Sequence, residues 1–414
     1  MNTKVETDIG KLTTKTNMKV AADIGNSTTK MIVEDELFSQ PSVIRRLMKN
    51  PQVTETDLKK NVTNLDENLT VHITSAAIKG TANGLYVIGR KAITTDLDKV
   101  QNMNIKLGNK HKHDLPVIMI LSMIARKIIK DEFDEKGELA ESYSATCELS
   151  SAIPASEFSF EKAEILEKRF AAHKHTVIVH LGEKLVTVVL NFKKAKVTQE
   201  GVPAIFALLS EDETILEEFN NLYKKKDEED LIQDNEEITK PIDLKKMKIF
   251  HVDIGDGTTE YIYTNGVNPI LDACSGEKRG VGHATEEATV LLNENLNGLM
   301  KINRQSFMSI VADNTHNLHA EAKDALDIAK GSQANFILED TIEKVSNKTG
   351  NNVDIVVVYG GGSIQFRKYL FDDLKEFADQ IKTKLLWIPE KNAVDLNVRG
   401  LDILNRKVFF RKKR

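Results

Sequence analysis

The sequence predicts an α/β protein made of two similar domains, each opening with the same hairpin. Three observations carry this expectation. VAADIGNSTTK at Val20–Lys30 is echoed by FHVDIGDGTTE at Phe250–Glu260, and both contain D-I-G-x-x-T-T. A third glycine turn, VVVYGGGSI at Val356–Ile364, closes an apolar run of the kind that fills a buried strand. The chain has 414 residues, more than one hydrophobic core usually supports. The two echoes are too far apart for a solenoid period and fit a duplicated domain.

In chain order, residues 1–18 are polar, lack the apolar core of a signal peptide and read as a loose tail. MKVAADIGNSTTKMIVED reads as strand, tight turn, strand. This opens a first domain over 19–205. Within it, residues from about 40 to 112 mix short strands (LTVHITSAAI, GLYVIG) with polar loops and read as a smaller α+β insert. LPVIMILSMIARKIIKDEFDE predicts a long, largely buried helix, ATCELSSAIP a strand ending at a proline turn, and EFSFEKAEILEKRFAAH a helix. TVIVHLGEKLVTVVLNFKKAKVTQEG alternates apolar and polar residues and predicts two or three strands. Residues 206–248 are charge-dense, with a KKKDEED run, and read as a solvated connection. The second domain spans 249–402. Its hairpin KIFHVDIGDGTTEYIYTNG precedes a helical insert at about 283–350. The glycine turn, the amphipathic helix FRKYLFDDLKEFADQI, the strand LLWIPE and the final helix VDLNVRGLDIL follow. Residues 403–414 form a basic tail.

Composition narrows the function. Hydrophobic residues are 41% and charged residues 29%, an ordinary globular balance. The net charge of −5 does not favour direct binding to nucleic acid, and no run approaches the roughly 20 apolar residues of a membrane span. Cys147 and Cys274 have no metal-ligand spacing and read as two reduced thiols. His111-Lys112-His113-Asp114 offers metal-binding side chains but reads first as a polar loop before Pro116. RKVFFRKKR at the end holds six basic residues and no acid, and reads as a solvated helix end.

The hairpins suit an anion. Glycine lets a ligand approach the main chain, and a concave turn of N–H groups attracts negative charge. Gly25, Asn26, Ser27, Thr28 and Lys30 in the first hairpin, and Gly255, Asp256, Gly257, Thr258 and Thr259 in the second, are the candidate phosphate contacts. Gly360, Gly361, Gly362 and Ser363 let a flat ligand pass the backbone. Asp23 and Asp253 make sense beside phosphates when Mg²⁺ lies between, facing them through water. Walker A and G-x-G-x-x-G loops are absent.

Together these elements resemble the actin-like ATPase superfamily of actin, DnaK-type chaperones and sugar kinases. Asp23–Lys30 is similar to its first phosphate loop, Asp253–Thr259 to its second and Val358–Ser363 to its adenosine loop. Val197–Ala204 resembles the first connecting helix, and Ala393–Leu401, with Asn397 and Gly400, the second. The resemblance covers about residues 19–402. It implies the actin-like fold, two ribonuclease-H-like α/β domains with a nucleotide cleft between them. It implies binding of ATP, or alternatively GTP, with Mg²⁺. Glu200 then orients the water that attacks the γ-phosphate, with Gln199 as the alternative. Asp253 shares that task or holds magnesium water.

Within the superfamily the chain looks most similar to the bacterial plasmid-segregation actins, the ParM/StbA and Alp group, on its length, on SSAIPASEF and on the glutamate in VTQEGVPAIFAL. That implies a cytoplasmic bacterial ATPase that forms head-to-tail filaments and separates plasmid copies. A ParR-like DNA-binding adaptor then serves as partner, without direct DNA or membrane contact. The other expectations are a small-molecule kinase and a cell-shape or division actin.

Overall fold

The structure, a computed structural model, describes residues 13–94, 100–103, 109–223, 238, 240–297 and 301–411. The first sheet contains β1 (Thr13–Ile24), β2 (Thr28–Val33), β3 (Glu36–Pro41), β4 (Val43–Leu47), β5 (Thr70–Ser75), β6 (Gly84–Ile88), β7 (Gln101–Asn102), β8 (Ser142–Ile153), β9 (Lys174–Leu181) and β10 (Lys184–Gln199). Their order is β3-β2-β1-β8-β10-β9-β5-β6-β4-β7. The second sheet contains β11 (Lys248–Ile254), β12 (Thr259–Asn265), β13 (Asn268–Pro269), β14 (Ser275–Glu277), β15 (Ile355–Tyr359) and β16 (Lys384–Trp387). It runs β13-β12-β11-β15-β16, with β14 on β12.

The duplication is visible strand by strand. In each half an antiparallel meander (β3-β2-β1, β13-β12-β11) is joined to two parallel neighbours (β8 and β10, β15 and β16). Parallel strands need crossover helices, and these cover both faces. That is why β15, IVVVY, is buried at every position. The crossover between β1 and β8 uses α1 (Leu115–Lys136), whose Pro116 sits in the first turn and whose end is closed by Gly137 in the left-handed region at φ 71°. α2 (Phe160–Ala171) is capped by Ser159, whose hydroxyl accepts from the Lys162 N–H. α3 (Val202–Leu208) follows β10. In the second half α4 (Val281–Asn295), α5 (Arg304–Ala312) and α6 (His319–Thr349) precede β15, α7 (Gly361–Gln380) joins β15 to β16, and α8 (Leu396–Leu404) follows.

Several expectations change. Thr13–Met18, read as tail, belongs to β1, because its backbone pairs in parallel with Tyr143–Cys147 of β8. Residues 1–12 lie outside the described residues. The strands between 40 and 112 do not stand apart from the first sheet but extend it, through β5 pairing with β9. The connection 206–248, read as solvated, buries Ile215, Leu216, Phe219, Ile238 and Leu244 in one cluster with Ile355, Val357 and Leu386 of the second half. Its KKKDEED run falls outside the described residues. Val197–Gln199 is the end of β10, and the helix begins only at Val202. In the basic tail, Asn405 is buried and donates to Val20 O and Glu148 O, both at 2.9 Å, while residues 412–414 are outside the described residues.

The two helices that join the halves are exchanged. α3 emerges from the first sheet, yet Ala204, Ile205 and Leu208 pack on the second. α8 follows the second sheet, yet Val398 and Leu401 pack on Ala21, Ile32 and Ala152 of the first.

Candidate functional site

The two hairpins converge on a cavity of about 290 Å³ between the sheets. Asp23, Gly25, Asn26, Ser27, Thr28 and Lys30 line it from the first hairpin, and Asp253, Gly255, Asp256 and Thr258 from the second. Gly360, Gly361 and Gly362 line it from the start of α7, and Glu200 from the end of β10. The two turns are closed in the same way. The Gly25 N–H donates to Thr28 O at 3.0 Å, and the Gly255 N–H to Thr258 O at 2.9 Å. Each is braced from its own half. The Ser42 hydroxyl donates to Gly25 O at 2.6 Å, and the Gly282 N–H donates to Asp256 O at 2.8 Å. Gly360 has φ 91°, and a Cβ there would lie 2.4 Å from Asp253 Oδ1 and 2.5 Å from Ile254 O. Only glycine lets this turn close against the second hairpin.

Three expected residues do not line the cavity. Gly257 accepts from His283 Nε2 at 3.0 Å through its carbonyl. Thr259 is buried in β12, and its hydroxyl donates to Arg279 O at 3.3 Å. The Ser363 hydroxyl donates to Gly360 O at 2.7 Å and serves the turn at the start of α7. Lys30 does reach the cavity, but it is engaged across it. Its ammonium donates to Val394 O and lies 4.0 Å from Asp395. Asp256 is paired with Arg304 at 2.9 Å. Gln199 and Glu200 separate cleanly, since Gln199 is buried against Cys274 and Glu200 lines the cavity.

Reading the sequence missed three side chains and gave no role to a fourth, Asn397. Lys110 lines the cavity and forms an ion pair with Glu200 Oε1, with 4% of its side chain exposed. Glu157 lines it too, and accepts from the Lys110 N–H at 2.8 Å. Asn397 joins the halves, donating to Asp253 Oδ2 at 2.6 Å and accepting from the Gly201 N–H at 3.2 Å. Glu260 lines the cavity at 2% exposure. Its Oε2 accepts from the Ala155 N–H at 2.8 Å, and its Oε1 is buried without a hydrogen-bond partner. A signal for Glu260 exists in the sequence. The hairpins superpose by register, Asp23 facing Lys30 and Asp253 facing Glu260, so a carboxylate stands where the first half has an ammonium.

This concentration of acids perturbs them. Burial pushes the Glu200 carboxyl up to about 7, helped by the Asp23 and Glu157 charges and opposed by Lys110. Burial pushes Asp253 up to about 7 as well, opposed by its bond from Asn397 and helped by Asp23 and Glu200. Burial, then the Glu200 charge, raises Glu260 well above the usual carboxylate range. The folded protein therefore holds protons here that the unfolded chain has released, and stability from these groups is lost as pH rises through about 7. In EDTA without nucleotide, the melting temperature is expected to drop by several degrees between about pH 6 and about pH 8. A flat or rising melting temperature in scanning fluorimetry would contradict this.

The donor set fits Mg²⁺. Among the described residues six carboxylates line the cavity, Asp23, Glu157, Glu200, Asp253, Asp256 and Glu260, against the two ammonium groups of Lys30 and Lys110. Among the described residues no three His, Cys, Asp or Glu side chains converge as direct metal ligands. No described helix is long and apolar enough to cross a membrane.

No protein-family model and no curated protein sequence matches the chain. Solved structures do. The actin-like protein Alp7A matches with TM-score 0.64 at 14% identity, covering 95% of this chain and 96% of that one. ParM from Clostridium botulinum, in a 15-stranded filament, matches with TM-score 0.62 at 14% identity over 94% and 99%. Bacillus thuringiensis ParM with ATP matches with TM-score 0.56 at 15% identity over 94% and 98%. From the duplicated sheets, the exchanged helices and these likenesses over nearly the full length, the chain has the actin-like fold, similar to that of ParM and Alp7A.

Proposed function

We propose that the chain is a filament-forming ATPase of the plasmid-segregation type. The observation that carries this reading is the pair of matching turns, Gly25–Thr28 and Gly255–Thr258, that face one cavity together with Gly360–Gly362 and the Glu200 carboxylate just past the end of β10. The turns clasp the phosphates of ATP, and the glycine turn passes the adenosine. Asp23 and Asp253 would hold Mg²⁺ through water, and the ion would offset the acids of the cavity and the charge of the phosphates. Glu200 orients a water on the γ-phosphorus and takes its proton. The new P–O bond forms as the bond to the bridging oxygen of ADP breaks, and ADP leaves with that electron pair. Asn397 holds Asp253 in place and ties it to the Gly201 turn beside Glu200, so closure of the halves assembles the site.

Assembly is supported by the likeness to a ParM solved as a filament. Head-to-tail contacts between identical subunits do not close and generate a helix. With a net charge of −5, DNA is better held through a basic, ParR-like adaptor than by the filament surface. The proposed location is the bacterial cytoplasm.

The test is light scattering after addition of ATP and Mg²⁺, with phosphate release followed in the same cuvette. The expected result is a rise that decays in step with phosphate release. Phosphate release with no scattering at any concentration, and dependent on an added acceptor, would point instead to a small-molecule kinase.

A further inference from the structure

Among the described residues the His111-Lys112-His113-Asp114 run joins no group of metal ligands, yet the loop that carries it is held by many ties. Asn109 enters it in the left-handed region at φ 63°, and Lys110–Lys112 form one 3₁₀ turn. Arg169 of α2 spans the loop. Its guanidinium donates to Ala77 O at 2.9 Å, His111 O at 2.9 Å and His113 O at 2.7 Å, and pairs with Asp114 at 2.6 Å. The Lys110 N–H is taken by Glu157. The result of all these ties is to place one ammonium group, that of Lys110, out of water and on Oε1 of Glu200.

Burying a lysine costs it its hydration, which a single ion pair rarely more than offsets. A purely structural pair would be expected away from the cleft. This one lies in the cavity lining, on the carboxylate best placed to activate water. The other charges facing Glu200 are Asp23 and Glu157 on its own half, and Asp253 and Glu260 across the cleft, all acidic. Without Lys110, a buried Glu200 among four acids would hold its proton and lose its use as a base.

We propose that Lys110 is a positioning residue for hydrolysis. Its ammonium fixes Glu200 by one oxygen, leaving the second oxygen for the attacking water, and Arg169 holds the loop that presents it. This rests on the ATPase reading given above.

The experiment measures kcat, KM and equilibrium ATP binding for the full chain, wild type against Lys110→Gln, Lys110→Arg, Glu200→Gln and the double variant Lys110→Gln/Glu200→Gln. Melting temperatures are recorded for each. Lys110→Gln is expected to lower kcat about 100-fold, with ATP affinity within about threefold of wild type. Lys110→Arg is expected to recover most of the rate, since guanidinium also bridges a carboxylate. The double variant is expected to be no slower than Glu200→Gln alone, because both changes disable one device. Where Lys110→Gln melts early, Lys110→Met keeps the packing of the stem and takes its place. A Lys110→Gln protein that hydrolyses at the wild-type rate overturns the proposal while leaving the ATPase reading intact. So does one whose loss is confined to ATP affinity, or fully additive with Glu200→Gln. A wild type that binds ATP and never releases phosphate overturns both.

Discussion

Glu200→Gln is expected to slow phosphate release by about 10²–10⁴-fold, the range that a positioned base supplies, while the light-scattering rise on ATP addition persists instead of decaying. The substitution keeps the shape of the side chain, and glutamine still orients water. What it removes is the group that receives the proton. It also leaves the buried Lys110 ammonium without its ion pair, so the nucleotide-free protein is expected to melt below wild type. Binding of ATP is expected to remain, since the turns at Gly25 and Gly255 are untouched. If the variant hydrolyses normally, Asp253 or Glu260 is the base and the assignment of Glu200 is wrong. If it loses ATP binding together with hydrolysis, Glu200 belongs to the ligand cradle.

The second large effect is structural. Gly400 of α8 meets α3 so closely that a Cβ at this position would lie 1.8 Å from Pro203 O and 2.3 Å from Pro203 C. Both are backbone atoms of a helix packed into the second half, so neither yields as the tip of a flexible side chain does. Gly400→Ala must push the two exchanged helices apart, which also strains the Asn397 bonds to Asp253 and Gly201. The expected cost is about 3 kcal/mol or more, at the upper end for overpacking, read as a lower denaturant midpoint and weakened ATP binding. Gly331→Ala is the control. Gly331 lies inside α6 with Tyr369 Cδ1, at 4.0 Å, as the nearest atom to its added Cβ, and alanine there is expected to stabilise by about 0.5–1 kcal/mol. Equal effects at the two sites would mean that the helix contact is not tight in solution.

What the sequence revealed, and what it hid, follows the range of the interactions involved. The hairpins and the glycine turn are local. Their backbone demands are written in adjacent residues, and the cavity collects Asp23–Thr28, then Asp253, Gly255 and Asp256, and Gly360–Gly362, as their chemistry suggests. The separation of Gln199 from Glu200 was not legible, because the strand end fixes which of two neighbours faces the cavity. Lys110 was invisible for a different reason. It is 90 positions from Glu200, and nothing in NKHKHD distinguishes a lysine that points to solvent from one that a distant arginine turns inward. Thr13–Met18 was misread because polar residues become strand only when β8 offers them an open edge. Ser363 and Thr259 were overcounted, since a hydroxyl in a glycine-rich turn serves the turn's own carbonyls as readily as a ligand.

The exchanged helices also have a consequence for the order in which the molecule is made. The face of the first sheet around Ala21, Ile32 and Ala152 is sealed by Val398 and Leu401, which the ribosome adds only after the whole second half. At the usual pace of translation that face waits on the order of ten seconds or more, bare and apolar. The N-terminal half is thus committed early to a sheet but not to a finished surface. Fragments that stop before α8 should be sticky, chaperone-dependent and quickly degraded, however complete their own strands are.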